Sequence, residues 1–100
     1  MKVVWSAEAA QCLRDIVAYI AQDSPAAARK VAAKLLMRSR QLAEPPLLGR
    51  CMSEYPDEDL RELLERPYRL IYRVTSDGIE IVTLKHYRQR LPRDPKSLRD

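Results

Sequence analysis

The residues with the most chemical reach in this chain are arginines spaced four apart along an apolar run. In "PYRLIYRV", residues 67–74, Arg69 and Arg73 stand two positions to either side of Ile71. A strand turns alternate residues to opposite faces, so Tyr68, Leu70, Tyr72 and Val74 line one face and Arg69, Ile71 and Arg73 the other. A guanidinium grips a phosphate or carboxylate through paired hydrogen bonds, so two of them on one face suit an anion. Like charges so placed repel unless a negative group lies between them. Glu62, Glu65 or Glu80 from neighbouring strands would serve as cross-strand partners, and so would an external ligand; the residues leave both readings open.

The charge pattern extends this. Net charge is +4 with an isoelectric point near 9.3, which favours an anionic partner such as nucleic acid, a ribosome or an acidic protein. "KHYRQRLPR", Lys85 to Arg93, carries four cations and no acid. Cys12 and Cys51 lack metal-ligand spacing, and with the lone His86 they would have to converge from distant segments, so neither a metal nor a cofactor is expected. No apolar run approaches the ~20 residues of a membrane helix. The start, "MKVVWSAEAA", turns polar at Ser6, too soon for a secretory signal. A cytoplasmic protein with reduced thiols and no membrane partner is the expectation.

One hundred residues, 46 % of them hydrophobic, suffice for one core and not for two. We expect a single domain over 1–91 and a loose, charged tail over 92–100, where two prolines interrupt a polar stretch. "KVVW" (Lys2–Trp5) is β-prone. Ser6 offers an N-cap with Glu8 in the first turn, and Leu13, Ile16, Val17 and Ile20 form one stripe of a helix over about Ala7 to Gln22. "DSPAAA" restarts the helix, with Asp23 or Ser24 as cap and Pro25 at the first helical position. Ala28, Val31, Ala32, Leu35, Leu36, Ser39 and Leu42 carry the second stripe, and Pro45 and Pro46 stop it. Three strand runs follow: Leu60–Leu64, Tyr68–Thr75 and Ile79–His86, the last two joined by a turn at Asp77-Gly78. The order β-α-α-β-β-β predicts an α+β fold, an antiparallel sheet with a helical hairpin on one face. No helix remains to cover the other face, which should stay open and present Arg69, Ile71 and Arg73.

These pieces occur together in a known pattern. "YIAQDSPAAARKV" joining the helices, "LAEPPLLGR" leaving the second, "LRELLERPYRLIYRV" and "IEIVTLKHYRQRL" run in order from Tyr19 to Leu91. The chain resembles the RelE/ParE superfamily of toxins from type II toxin–antitoxin pairs, and most of all its ParE branch. The resemblance implies a toxin held inactive by a cognate antitoxin, with operator DNA reached only through that antitoxin. ParE-like members are associated with poisoning DNA gyrase, without an obvious catalytic constellation. RelE-like members cleave messenger RNA on the ribosome, and the shared fold does not choose between them.

For either target, the expected surface is Arg61, Arg69, Arg73, His86, Arg88 and Arg90. RNA cleavage would need a base, a leaving-group acid and cations for the phosphorane, with Arg61, Arg69, Arg73, His86, Tyr87 and Arg88 as candidates and Glu54 or Glu62 as a base. Arg69 matches the arginine of the corresponding strand in one RNA-cleaving group, which also uses a histidine–tyrosine pair. Here His86-Tyr87 falls one residue early, and a one-residue slip exchanges strand faces. Apolar surface near Tyr19, Leu47, Leu48 and Met52 is expected to await the antitoxin.

Overall fold

The computed structural model describes residues 1–99; the last residue of the expected tail, Asp100, lies outside them. The elements run β1 (Lys2–Trp5), α1 (Ala7–Ala21), α2 (Pro25–Gln41), β2 (Arg50–Cys51), β3 (Arg61–Glu65), β4 (Tyr68–Thr75) and β5 (Gly78–His86), with a short 3₁₀ turn at Pro95–Arg99. Both helices begin where the sequence provides a cap. The Ser6 hydroxyl accepts from the Ala9 amide at 3.0 Å, and Ser24, not Asp23, accepts from Ala27 at 3.1 Å with Pro25 following.

The fold is α+β, with the helical hairpin on one face of a five-stranded sheet ordered β1-β5-β4-β3-β2. Strands β2 to β5 are antiparallel neighbours, as expected. β1 departs from the expectation by running parallel to β5, Lys2 beside Gly78 and Trp5 beside Ile81, so the sheet is mixed. That pairing joins the first strand to the last, a contact on which local periodicity is silent. Gly78 makes it possible. Its φ of 150° suits the tight turn, and a Cβ there would lie 2.2 Å from the Lys2 carbonyl oxygen. A bulge where Ile71 faces Thr83 and Tyr72 faces Ile81 adds a residue to β5.

The helix face holds one core: Ala9, Leu35 and Leu42 against Leu63, Leu70, Tyr72, Ile79, Ile81 and Leu84. The Trp5 indole donates to Ser39 Oγ at 3.3 Å, tying β1 to α2. Of the apolar stripe on α1, Leu13 and Ile16 pack against this core only partly, and Val17 and Ile20 are half-buried as well.

The far face is not open. Ile71 and Val82 lie under Met52, Tyr55, Leu60 and Leu98 in a second core, with Leu91 at its edge. The loop 52–60 and the tail cover it, in place of a helix. The tail expected to be loose therefore packs: Leu98 is 0 % exposed. An uncovered Ile71 beside Val82 would leave apolar area in water, and a chain of this size has little to spare.

Leu35 is 1 % exposed at the centre of the helix-side core. Leu35→Ala should lower unfolding free energy by about 2–5 kcal/mol, read from urea denaturation. The same change at half-buried Val17 should cost clearly less.

Candidate functional site

The expected cation face divides once strand register is applied. Arg61 stands opposite Tyr72, and His86 opposite Tyr68, on the helix side of the sheet. Arg69 and Arg73 share the other side with Ile71. Arg88 and Arg90 lie exposed beyond the end of β5. These residues do not form one patch.

Nor are the two strand arginines free. Glu62 stands directly across from Ile71 on β3, which makes it the diagonal neighbour of Arg69. Arg69 Nε donates to Glu62 Oε2 at 2.7 Å, and Arg69 Nη2 to Glu54 Oε2 at 2.7 Å. Arg50, across from Glu62 on β2, donates Nε to the other carboxylate oxygen at 2.7 Å, and its Nη2 pairs with the same oxygen. Glu62 is 3 % and Arg69 9 % exposed, so the centre of the network is buried, with Arg50 and Glu54 at its solvent edge. Burial alone would lower the Arg69 pKa, but the hydrogen bonds and charges of Glu54 and Glu62 outweigh it and raise the value. The Arg69 hydrogen bond, with burial opposing, holds the Glu54 carboxyl below its usual range. Arg73 faces Glu80 across the β4–β5 pair and donates to it at 2.9 Å. The expectation of guanidinium groups waiting for an external anion gives way, at Arg69 and Arg73, to cross-strand pairing within the chain. Arg61 instead donates to the Gly49 carbonyl at 2.8 Å.

The network forms the wall of a cleft of about 580 Å³, open to solvent, lined by Arg50, Glu54, Glu62, Leu64, Arg66, Pro67, Arg69 and Tyr87. Of the candidates for RNA cleavage, the fold brings Arg69 and Tyr87 here, with Glu54 and Glu62. His86 lies outside the lining. Its ring stacks on Tyr87 at 5.0 Å and meets Tyr68 edge-on at 6.0 Å, while its Nδ1 accepts from the Arg88 amide at 3.2 Å. Arg88 reaches over Tyr87, its guanidinium carbon 5.5 Å from the ring centre, and donates Nε to the phenol oxygen at 3.0 Å. Arg50, Leu64, Arg66 and Pro67 escaped the sequence reading. The signal for Arg50 was its Pro-x-x-Gly-Arg exit from the second helix, which delivers it to the sheet edge.

A second polar centre anchors that exit. The Tyr72 hydroxyl donates to the Pro46 carbonyl and accepts from the Gly49 amide, both at 2.8 Å. A Cβ on Gly49 would sit 2.7 Å from the Tyr72 ring, which is why glycine is needed. Among the apolar candidates for partner contact, Tyr19 (73 %), Leu47 (59 %) and Leu48 (44 %) are exposed. Met52 is not. It is buried in the far-face core, because the loop that carries it folds back over Ile71. Among the described residues, no group of three or more His, Cys, Asp or Glu side chains comes together as a metal site, and no helix is long and apolar enough to cross a membrane. Cys12 and Cys51 are free thiols.

This architecture matches known proteins. Residues 3–91 fit the family described as the ParE toxin of the type II toxin–antitoxin system parDE. The chain belongs to the ParE toxin family. Y4kP of Sinorhizobium fredii (strain NBRC 101917 / NGR234), whose name places it among toxins, is 35 % identical over 91 residues, covering 91 % of this chain and 93 % of that protein. Toxin RelE2 of Caulobacter vibrioides (strain ATCC 19089 / CIP 103742 / CB 15) is 37 % identical over 86 residues, covering 85 % and 93 %. A chain of the chromosomal ParDE toxin–antitoxin system from P. aeruginosa superposes with a TM-score of 0.73 at 25 % identity, covering 86 % of this chain and 95 % of that one. The ParE chain is thus a type II toxin of the RelE/ParE superfamily, and that membership implies a cognate antitoxin.

Two outcomes follow from the ionic geometry. Arg69→Ala removes one of the two guanidinium partners of buried Glu62 and should destabilise by up to about 3–5 kcal/mol in urea titrations, whereas Arg90→Ala should stay within about 0.5 kcal/mol. Glu80 is held below its usual pKa first by the Arg99 hydrogen bond and then by that of Arg73, with burial opposing. Groups lowered on folding stabilise fully above the ordinary carboxylate value near 4.5 and lose that contribution as pH falls through the folded value. The urea midpoint should therefore fall below about pH 4.5, and Glu80→Gln should start lower at pH 7 and decline less steeply.

Proposed function

We propose that this ParE-family chain arrests growth by poisoning DNA gyrase in the cytoplasm, without hydrolytic chemistry of its own, and that a cognate antitoxin neutralises it by direct binding. One observation carries the non-hydrolytic reading. The carboxylates of the cleft are spent on Arg50 and Arg69, which leaves Glu54 a weak base. A target surface would then draw on Arg61, Arg66, Arg88 and Arg90, which are among the cations with no carboxylate partner in the described residues, with His86 beside Arg88.

Antitoxin binding is supported by the half-buried stripe of α1, by Tyr19, and by Leu47 and Leu48 where the chain leaves α2. An acidic amphipathic segment laid along the helical hairpin would bury this surface and complement the net positive charge. The complex should be more soluble and more stable than the toxin alone. Operator DNA would be reached through the antitoxin.

A second reading, ribosome-dependent cleavage of messenger RNA, is favoured by the convergence of Arg69, Tyr87, Glu54 and Glu62 on one cleft. The two separate at the bench. Purified toxin in excess should inhibit gyrase supercoiling and trap a cleavage complex, and antitoxin should reverse both. Unimpaired supercoiling would remove the gyrase reading. Codon-positioned cuts in translated messages, lost in Tyr87→Phe, would establish the second.

A further inference from the structure

The family match ends at residue 91, yet the chain continues onto the far face of the sheet and is held there at three points. The Tyr55 phenol donates to the Pro92 carbonyl at 2.6 Å. Leu98 sits fully buried against the group formed by Ile71, Val82, Met52, Tyr55 and Leu60. Arg99 donates both terminal nitrogens to Glu80, at 3.0 and 2.7 Å.

The seat beneath the tail is built from other parts of the molecule. Its floor, Ile71 and Val82, belongs to the two central strands. Its wall is the 52–60 loop, closed by backbone hydrogen bonds from Met52 to Leu60 and from Tyr55 to Met52, each at 3.2 Å, and from Glu58 to Tyr55 at 3.0 Å. Glu80 is also bonded by Arg73 from β4. The hold of the tail is confined to a few contacts: one leucine, one phenol hydrogen bond and the two-pronged ion pair of Arg99 with Glu80. A segment so held can open without global unfolding.

We propose that the far face of the sheet is a peptide-binding groove for a short segment presenting a leucine followed by a cation, and that residues 92–99 fill it in cis. The apolar seat selects the leucine, Glu80 selects the cation, and the Tyr55 hydroxyl reads the backbone upstream. A partner segment of the same chemistry takes the groove when the tail leaves. The groove lies on the sheet face opposite the helical hairpin, so its occupancy is separable from antitoxin binding there.

The test uses the full-length chain. Leu98→Asp removes the cis occupant, and Arg99→Glu does so by a milder route that reverses the pairing with Glu80. A fluorescein-labelled peptide of residues 91–99 is titrated into each and followed by anisotropy, with far-UV circular dichroism as the check on folding. The variants should stay folded and bind the peptide. The wild type should bind it about tenfold or more weakly, since its own tail competes at high effective concentration. A peptide with Glu in place of Arg at the position of Arg99 should fail. Folded variants that bind nothing, or a wild type that binds as tightly, would overturn the groove. Loss of native structure in both variants would overturn it too, because the tail would then be part of the core and not an occupant.

Discussion

The buried carboxylate of Glu62 is the joint on which the exposed edge of this molecule turns. It takes a guanidinium from β2 and another from β4, so three strands meet at one side chain, and Arg69 in turn ties in the loop bearing Glu54. β2 is two residues long and makes few backbone hydrogen bonds. The Arg50–Glu62 pair adds to the Tyr72 and Arg61 hydrogen bonds that hold the chain leaving α2 to the sheet. A buried ion pair contributes little net stability over an apolar substitute, but losing one partner is expensive. Its effect here is to fix which groups meet: the Pro-x-x-Gly-Arg exit, β3 and β4 must all be in register for the charges to cancel.

That cancellation redistributes the positive charge. Arg69 and Arg73, at the centre of the sheet, are consumed by Glu62, Glu54 and Glu80. Arg66, Arg88 and Arg90, on turns and loops, keep solvent-facing guanidinium groups with no carboxylate partner among the described residues. Arg69 and Arg73 thus serve the sheet, while Arg66, Arg88 and Arg90 face solvent. Loops tolerate sequence change that strands under cross-strand pairing do not. Relatives sharing this frame can therefore carry different outer charge without refolding.

The helical half of the fold was legible because its signals are local. Ser6, Ser24 and Pro25 mark helix starts through bonds within one turn, and Asp77-Gly78 marks a hairpin by its own backbone demands. The alternation in Tyr68–Val74 also placed Arg69, Ile71 and Arg73 on a common face. What covers that face was not legible. Leu98 and Met52 reach Ile71 from segments that read as irregular and charged, with few apolar side chains to give them away. The β1–β5 pairing was hidden for the same reason, since nothing near Lys2 announces Gly78. At the site, the carboxylates that neutralise Arg69 were among those in view, but choosing Glu62 required the register of β3 on β4. Arg66, Leu64 and Pro67 became cleft residues only when the β3–β4 turn closed beside Tyr87.

The two faces of the sheet solve the same problem by different means, and the difference bears on function. On the helix side, the hairpin buries Leu35, Leu42, Leu70 and Tyr72 but leaves the α1 stripe half-covered, so burial there is incomplete in the chain alone. On the far side, the chain completes burial itself with Leu98. A face that needs a partner suits the control proposed for this toxin, because binding adds to stability by mass action. A face closed by a short tail keeps apolar Ile71 and Val82 out of water while the protein is alone. With the tail in place, the apolar surface left for a partner lies on the hairpin and on the exit bearing Leu47 and Leu48, while Arg66 lies on the turn that lines the cleft. Antitoxin and target would then meet chemically different surfaces, so inhibition would follow from blocking access or shifting the fold, not from filling the ion-paired cleft.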